Sequence, residues 1–321
     1  MGGGPRAPGH EPGAGGGTPS VPPCRLGSAV TLGAWVLAAR PRTLTAAVAP
    51  VLVGTGLAAL HDTLAPVPAA AALAGAVLIQ IGTNLANDYY DFLRGADTEE
   101  RVGPVRVTQA GLLAPERVRL GTVVVLGAAM LVGIYLVSVG GWPVVWIGLA
   151  SVACAVLYTG GPFPLAYHGL GDPFVFVFFG LIAVGGTYWV QALAWPPDAL
   201  LAGAGVGALS TAILVANNLR DIETDARAGK RTLAVRFGPA ATKLEYAAAL
   251  VLAAVVPVLG VAWLRWPLSA LLPLLAAPLA VAPLRAVVRH RAAVELIPAL
   301  AGTARLVAAY GVLMALGLGL G

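Results

Sequence analysis

The first group of residues with types and spacing suited to chemistry lies between Gln80 and Asp97. Asn84, Asp88 and Asp91 follow one another at intervals of four and three residues. If a helix continues as far as Asp91, this spacing places one amide and two carboxylates on a single face. Carboxylates next to an apolar segment are costly to bury and usually have a function.

A second acidic group lies in the second half of the chain. Asn218, Asp221 and Asp225 are spaced by three and four residues, so a continuous helix would present a matching acidic face. In both groups the acids are followed by basic residues, a Val-Arg pair and a glycine, over 87–111 and 221–238. This weak repeat suggests, as a hypothesis, the duplication of a four-helix unit.

Two acidic helix ends on one side of a membrane would repel each other unless a cation lies between them. Mg²⁺ fits, because it binds few carboxylates and leaves its other positions to water and phosphate oxygens. Basic residues near both groups could hold the outer phosphate oxygens: Arg94, Arg101, Arg106, Lys230 and Arg231. This combination is expected for ionising an allylic diphosphate, whose carbocation needs an apolar chamber without water.

Three features have two interpretations each. Arg42, just after Arg40 at the start of the first apolar segment, fits a phosphate contact and a headgroup anchor equally well. Tyr158 begins a loop, reaching Asp172, that has almost no charge and suits a lid over substrate or a passive connection. The acidic groups could themselves be helix caps, but two such groups beside basic residues favour a substrate site.

The composition excludes an ordinary soluble enzyme. The 321 residues are 58% hydrophobic and 11% charged, with a mean hydropathy of +0.82, whereas soluble domains carry roughly 25% charged residues. The net charge of +5 is explained by a bias of Lys and Arg toward cytoplasmic loops, so nucleic acid is not an expected partner. The four His are scattered and the two Cys are isolated, so neither has the spacing of zinc or haem ligands.

The elements that must position these residues are apolar segments long enough to cross a lipid bilayer. We expect an all-α bundle of about nine transmembrane helices around a central cavity, with the motif loops at its cytoplasmic end. The nine segments are 43–60, 67–86, 120–139, 142–158, 173–193, 200–219, 246–264, 267–284 and 299–320.

The orientation follows from the positions of Lys and Arg. They concentrate in the lead-in and in alternate loops, and only Arg265 falls in a loop assigned to the outside. This predicts a multi-pass plasma-membrane protein with a cytoplasmic N-terminus and an active site facing the cytoplasm. Residues 1–38 are predicted to be a disordered Pro/Gly-rich tail, without the apolar region of a signal peptide.

The motifs resemble those of the UbiA superfamily of intramembrane aromatic prenyltransferases, and the resemblance covers a membrane domain at 39–321. Its two Asp-rich motifs match 87–91 and 221–225. Further stretches resemble the menaquinone-pathway branch of the family: GPVRVTQAG at 103–111, YTGGP at 158–162 and GKRTLAVR at 229–236.

The resemblance implies roles for particular residues. It implies Mg²⁺ ligation by Asp88, Asp91, Asp221 and Asp225, with Asp97 as a further candidate. It also implies contacts of the diphosphate with Arg94, Lys230 and Arg231. The remaining residues expected to contact substrate are Asn84, Asn87, Arg101, Arg106, Tyr158, Asn218 and Arg42.

The implied reaction joins a polyprenyl diphosphate to 1,4-dihydroxy-2-naphthoate, releases diphosphate and CO₂, and gives demethylmenaquinone. Arg106 is expected to orient the carboxylate of the acceptor, with a diphosphate contact as the alternative. An acceptor such as 4-hydroxybenzoate or haem would use the same metal face. A cation-coupled transporter would place its carboxylates nearer mid-membrane, and a structural protein has no need of two acidic faces. Prenyl length, the general base and the oligomeric state stay open.

Overall fold

The computed structural model describes residues 1–2, 32–95, 103 and 105–321. That part of the chain contains helices and no strand, which confirms the all-α prediction. The α-helices are α1 (Leu32–Ala39), α2 (Thr45–Leu60), α3 (Pro66–Leu93), α4 (Pro115–Gly140), α5 (Trp142–Leu157), α6 (Gly171–Phe176), α7 (Ala183–Ala192), α8 (Pro197–Arg220), α9 (Ile222–Arg227), α10 (Leu233–Trp263), α11 (Ala277–Arg289) and α12 (Ile297–Gly319).

Several shorter helical segments extend these elements. A π-helical segment, Val177–Ile182, joins α6 to α7, and the 3-10 helix Leu268–Ala276 leads into α11. Other 3-10 segments are Pro41–Thr43, Leu165–His168 and Ala293–Leu296. The helix α10 bends at Gly238, whose φ of 79° lies in the left-handed region that glycine tolerates.

The predicted count of nine membrane spans is not confirmed. Among the described residues, seven helical segments are long and apolar enough to cross a bilayer. A pair bent by 51°, Leu32–Thr43 with Thr45–Leu60, raises the number to eight. Each of the nine predicted segments does coincide with a helical segment, but Trp142–Leu157 has only 16 residues, fewer than the roughly 20 that a straight span needs.

The centre of the bundle is α8, most of whose residues are buried. It packs against α2, α6, α10 and α12. Small residues make this packing close, as is usual between membrane helices. A Cβ added to Gly180 would lie 2.5 Å from the backbone oxygen of Gly203, and one added to Gly207 would lie 2.6 Å from that of Phe176.

One end of the bundle gathers the two acidic motifs, and we call it the motif side. It is formed by the ends of α3, α5, α8 and α11 and by the segments that follow them. The helix α1 overlaps the end of the stretch predicted to be a disordered tail, 1–38, and the part of that stretch at 3–31 lies outside the described residues. The domain boundary at residue 39 stays a prediction.

Candidate active site

The first acidic motif lies on an unbroken helix. Because α3 continues to Leu93, Asn84, Asp88 and Asp91 share one face, as the spacing predicted. All three side chains are buried, with at most 3% of each residue exposed. The helix therefore brings polar groups from an apolar span to the motif side without exposing them to lipid.

The second acidic motif lies at a break between two helices, and the prediction of a continuous acidic helix there is wrong. The helix α8 ends at Arg220, Asp221 has φ −95° and ψ 9°, and α9 begins at Ile222. Asn218 and Asp221 are buried, whereas Asp225 on the short α9 is half-buried. The break directs the two carboxylates from separate elements into the same cavity.

Asp88 is bound to the backbone of the loop that follows α3. Its two carboxylate oxygens accept hydrogen bonds from the backbone N–H groups of Val107, at 3.2 Å, and Thr108, at 3.0 Å. Arg40 lies 3.6 Å away as an ion-pair partner. Asp88 is absent from the residues that line the central cavity, so its geometry is that of a side chain holding a loop in place.

Asp91 and Asp225 are connected through one lysine. The Lys230 ammonium lies 3.2 Å from Asp91 Oδ1 and 3.9 Å from Asp225 Oδ1. Arg106 donates from its Nη2 to Asp91 Oδ2 at 3.1 Å. The two motifs are therefore close enough to share a cation, as the sequence analysis expected of residues that bind one ligand together.

Asp221 has a different cationic partner. The guanidinium of the preceding residue, Arg220, contacts both of its carboxylate oxygens at 2.7 Å. Arg220 also donates to Asn217 Oδ1 at 2.7 Å and is 4% exposed. A bidentate pair of this kind fixes the carboxylate in one orientation.

Tyr167 contributes a ring to the same cluster. Arg94 and Lys230 each lie 5.0 Å from the centre of the ring, within the range of cation–π attraction. Its hydroxyl donates to Asp91 Oδ1 at 3.4 Å. Burial, followed by the charge of Asp91, raises the pKa of Tyr167, so the hydroxyl stays protonated.

The cluster lies at the polar end of a central cavity of about 760 Å³. The polar part of its lining includes Asp91, Asp221 and Asp225. The rest is mostly apolar, with side chains such as Met130 and Phe178. A charged end continuous with a long apolar chamber suits an amphipathic molecule that has an anionic head and a hydrocarbon tail.

Comparison with known proteins supports this description. The sequence pattern of the UbiA prenyltransferase family matches residues 47–299. The chain belongs to this family. It is 44% identical over 287 residues to the 1,4-dihydroxy-2-naphthoate octaprenyltransferase of Mycobacterium tuberculosis, covering 89% of this chain and 97% of that one. It is 37% identical over 280 residues to the Escherichia coli protein of the same name, covering 85% and 90%.

The fold is also that of solved UbiA structures. A UbiA homologue from Archaeoglobus fulgidus bound to GPP and Mg²⁺ superposes with a TM-score of 0.57 at 14% identity, covering 88% of this chain and 99% of that one. The predictions of a UbiA-like fold and of a membrane-embedded prenyltransferase are therefore confirmed.

Within this UbiA-family cavity, the predicted substrate residues differ in position. Arg42, Asn87, Tyr158 and Asn218 line the cavity, as do Asn84, Arg106 and Lys230. Arg94 is exposed and donates to the carbonyl of Gly161 at 2.6 Å, and Arg231 is exposed. Neither Arg94 nor Arg231 belongs to the lining. Asp97 and Arg101 lie outside the described residues.

The polar side chains of the lining hold one another in place. The Asn84 amide donates to the carbonyl of Ala39 at 2.8 Å and to Thr43 Oγ1 at 2.9 Å, while its oxygen accepts from Gln80 at 3.2 Å. Asn87 Oδ1 accepts from Thr159 Oγ1 at 2.9 Å. Asn84 therefore fixes the segment between α1 and α2 against α3.

Tyr158 and Asn218 lie near a buried acid that the sequence analysis used only as a loop boundary. Asn218 Nδ2 lies 3.4 Å from Asp172 Oδ1, and Asp172 is 4% exposed. Burial, with Asp172 as the largest charge effect, raises the pKa of Tyr158. Its hydroxyl is therefore a neutral hydrogen-bonding group at physiological pH.

Two residues of the site were missed by the sequence analysis. Arg220 directly precedes Asp221, and this adjacency was the signal that could have identified it. Tyr167 lies in a loop with almost no charge, where a single tyrosine gives no pattern. Only the fold brings Tyr167 to Asp91, which is 76 residues earlier in the chain.

Proposed function

We propose that this protein transfers a polyprenyl group from a polyprenyl diphosphate to 1,4-dihydroxy-2-naphthoate in menaquinone biosynthesis. Diphosphate and CO₂ leave, and demethylmenaquinone forms in its quinol state, because the step exchanges no electrons with an outside reagent. Relatives at 37% to 44% identity carry the name of this reaction with an octaprenyl donor.

The observation that carries the proposal is the arrangement of charge in the cavity. Carboxylates of both motifs, Asp91, Asp221 and Asp225, lie at one end of a chamber that is otherwise mostly apolar. Cations lie among them, with Lys230 within 4 Å of two of these carboxylates. A diphosphate head at this end would direct its hydrocarbon tail into the apolar part.

Mg²⁺ suits this set of side chains. Hard carboxylate oxygens from two elements, with room for phosphate oxygens between them, are the ligands that Mg²⁺ prefers. Asp91, Asp221 and Asp225 would hold it, with Asp97 as a further candidate. No ready-made group of three or more acidic, His or Cys side chains occurs within the described ranges, so the phosphate oxygens would have to complete the site. When bound, the metal supplies charge neutralisation to the leaving diphosphate.

Asp88 is the predicted metal ligand that fits least well, because it does not line the cavity as Asp91, Asp221 and Asp225 do. Its oxygens are engaged with two backbone N–H groups and with Arg40. We propose that it acts as a positioning residue, which holds the segment carrying Arg106 against α3. Among the described residues, the metal ligands would then be Asp91 from the first motif and Asp221 and Asp225 from the second.

The cations of the chain would hold the donor during the reaction. Lys230, Arg106 and Arg220 line the polar end and can each donate to diphosphate oxygens. The allylic C–O bond breaks, and its electron pair stays on the diphosphate. The apolar walls exclude water from the carbocation, so the ring is the nucleophile that it meets.

The aromatic acceptor provides the electron pair of the new C–C bond. The ring regains aromaticity by losing CO₂, so one of its carbons keeps the pair of the broken C–C bond. Arg42 is exposed to the cavity and is a candidate partner of the acceptor carboxylate. Arg106 is less suited to that role than the sequence suggested, because it is paired with Asp91.

An assay of the purified protein tests the proposal. The protein in detergent is incubated with Mg²⁺, a long prenyl diphosphate and either 1,4-dihydroxy-2-naphthoate or 4-hydroxybenzoate, and products are identified by mass spectrometry. We expect prenylated, decarboxylated naphthoquinol, and no product when EDTA replaces Mg²⁺. Prenylation of 4-hydroxybenzoate alone would show that the acceptor is wrong, and no transfer to either would reject the reaction.

We also propose that the motif side faces the cytoplasm, on the distribution of Lys and Arg. Single cysteines at Asp62, opposite the motif side, and at Ala228 test this in intact cells with an impermeant thiol reagent. Labelling at position 62 and protection at 228 are expected. The reverse pattern would place the substrate site outside.

A further inference from the structure

A second, smaller cavity lies outside the substrate chamber, between α11 and α12. Its volume is about 240 Å³. Its walls include Leu279, Ala282 and Ala286 of α11, and Ala299, Gly302 and Arg305 of α12. Leu279, Ala282 and Arg305 are exposed, so this groove opens to the outside of the bundle. In a bundle that spans a membrane, this outer surface of α11 and α12 faces lipid.

Arg305 supplies the charge of this groove and lies within an apolar span. It is eight residues beyond Ile297, where α12 begins on the motif side, which corresponds to roughly 12 Å of helix. Its Nε donates to the carbonyl of Ala301 at 3.3 Å, so the side chain folds back toward the motif side. Arginines in spans turn in this way to bring the guanidinium to the lipid headgroups.

The charge around the groove favours an anionic ligand. Arg285 and Arg289, on the last turns of α11, are both exposed. Between α11 and α12 the chain carries one acidic residue, Glu295, whose carboxylate accepts from the backbone N–H of Arg291 at 3.0 Å. The positive charge at this corner therefore exceeds the negative charge.

We propose that the groove binds one anionic phospholipid from the leaflet on the motif side. The phosphate pairs with the guanidinium of Arg305, whose planar donors match phosphate oxygens. One acyl chain lies in the groove, where the small side chains at Ala282, Ala299 and Gly302 leave room for it. Basic pockets between membrane helices are known sites for anionic headgroups.

This site is separate from the substrate cavity, although both use α12. Leu300 and Ala304, on the inner face of α12, line the substrate cavity, while Ala299, Gly302 and Arg305 line the groove. Lipid binding can therefore be measured without the reaction, and it does not depend on which acceptor the enzyme uses.

Native mass spectrometry tests the proposal on the full chain. Delipidated protein in detergent is titrated with phosphatidylglycerol or phosphatidylcholine, and the bound lipid is counted for wild type, Arg305→Gln and Ala282→Leu. The matched control is Arg119→Gln, which removes another exposed arginine on the motif side, at the start of α4.

Wild type should bind phosphatidylglycerol in preference to phosphatidylcholine. Arg305→Gln should weaken this binding by about fivefold, the effect of one arginine near an anionic headgroup. Ala282→Leu, which keeps every charge but fills the groove, should weaken it too, and Arg119→Gln should not. The proposal would be wrong if wild type and Arg305→Gln bound phosphatidylglycerol with equal affinity. It would also be wrong if Arg119→Gln lost as much affinity as Arg305→Gln, because the lipid would then be attracted by basic residues in general. Undiminished binding by a folded Ala282→Leu would exclude the groove.

Discussion

The acidic residues of the first motif share one unbroken helix, whereas those of the second are divided between α8, a break and α9. In the first motif, Asp88 holds backbone N–H groups and Asp91 faces the cavity. In the second, both Asp221 and Asp225 line the cavity, and a neighbouring arginine fixes Asp221. Similar spacing in the sequence thus produces one acid bound to a loop backbone and three acids that line the cavity.

Helical periodicity therefore places a side chain on one face of a helix but does not decide what that side chain contacts. Asp88 is one turn from Asp91, yet the loop at 106–108 covers only Asp88 with its N–H groups. In the second motif, α8 ends at Arg220 and α9 begins at Ile222, so Asp221 and Asp225 reach the cavity from separate elements.

The largest expected effect is on turnover, in Asp91→Asn. An amide cannot neutralise or bind a divalent cation as a carboxylate does, so kcat should fall by at least about 100-fold. The protein should still insert and keep its Tm within a few degrees. Activity measurements, with size-exclusion chromatography as a check of folding, decide this, and a folded variant with full activity would remove Asp91 from the site.

Asp88→Asn should act mainly on stability. One of its two carboxylate oxygens becomes an amide donor that faces a backbone N–H, which costs about 1–3 kcal/mol for a buried group. A fall in Tm larger than that of Asp91→Asn is expected, with some activity retained at low temperature. If Asp88→Asn instead has normal Tm and no activity, Asp88 is a ligand and the comparison fails.

Lys230→Gln should raise the KM for prenyl diphosphate by about tenfold, the effect of losing one charge-assisted hydrogen bond. The neighbouring Arg231→Gln is the matched control, because Arg231 is exposed and does not line the cavity. The sequence alone treats these two residues as equivalent. Equal changes of KM in the two variants would contradict the roles that the fold gives them.

Arg106→Ala distinguishes two partners of this arginine. Arg106 pairs with Asp91 at 3.1 Å, at the end of the cavity proposed to hold the diphosphate. Its loss should therefore raise the KM for the prenyl diphosphate by about fivefold. The KM for the acceptor should rise less. Steady-state kinetics with each substrate varied in turn measure both constants. A selective rise in the acceptor KM would support the contact with the acceptor carboxylate that the sequence suggested.

The smallest effect is expected for Tyr167→Phe. The variant keeps the ring beside Arg94 and Lys230 and loses only a 3.4 Å hydrogen bond to Asp91, so kcat/KM should fall about threefold. Because burial and Asp91 raise the pKa of Tyr167 above its ordinary value of 10.0, the hydroxyl does not ionise between about pH 6 and 9. The pH profiles of variant and wild type should therefore have the same shape. Tyr167→Leu, which also removes the ring, should lower kcat/KM more than Tyr167→Phe does.

The membrane character, the helical segments and the two acidic motifs could all be predicted from the amino-acid pattern. Apolar composition and 3.6-residue periodicity act locally, so they can be read without knowledge of the fold. They also placed Asn84, Asp88 and Asp91 on one face, since α3 continues beyond Asp91. Local signals did not determine the number of spans, because α2 with its bent lead-in and the short α5 depend on how neighbouring helices pack.

Only the tertiary structure decided which charges meet. Lys230 lies between Asp91 and Asp225, and Tyr167 reaches Asp91 across 76 residues of sequence. Asp88 turns to the backbone of 107–108, and the groove at Arg305 exists because α11 and α12 pack with small residues between them. Such contacts depend on the distances between separate helices, and a linear pattern of residue types carries no information about those distances.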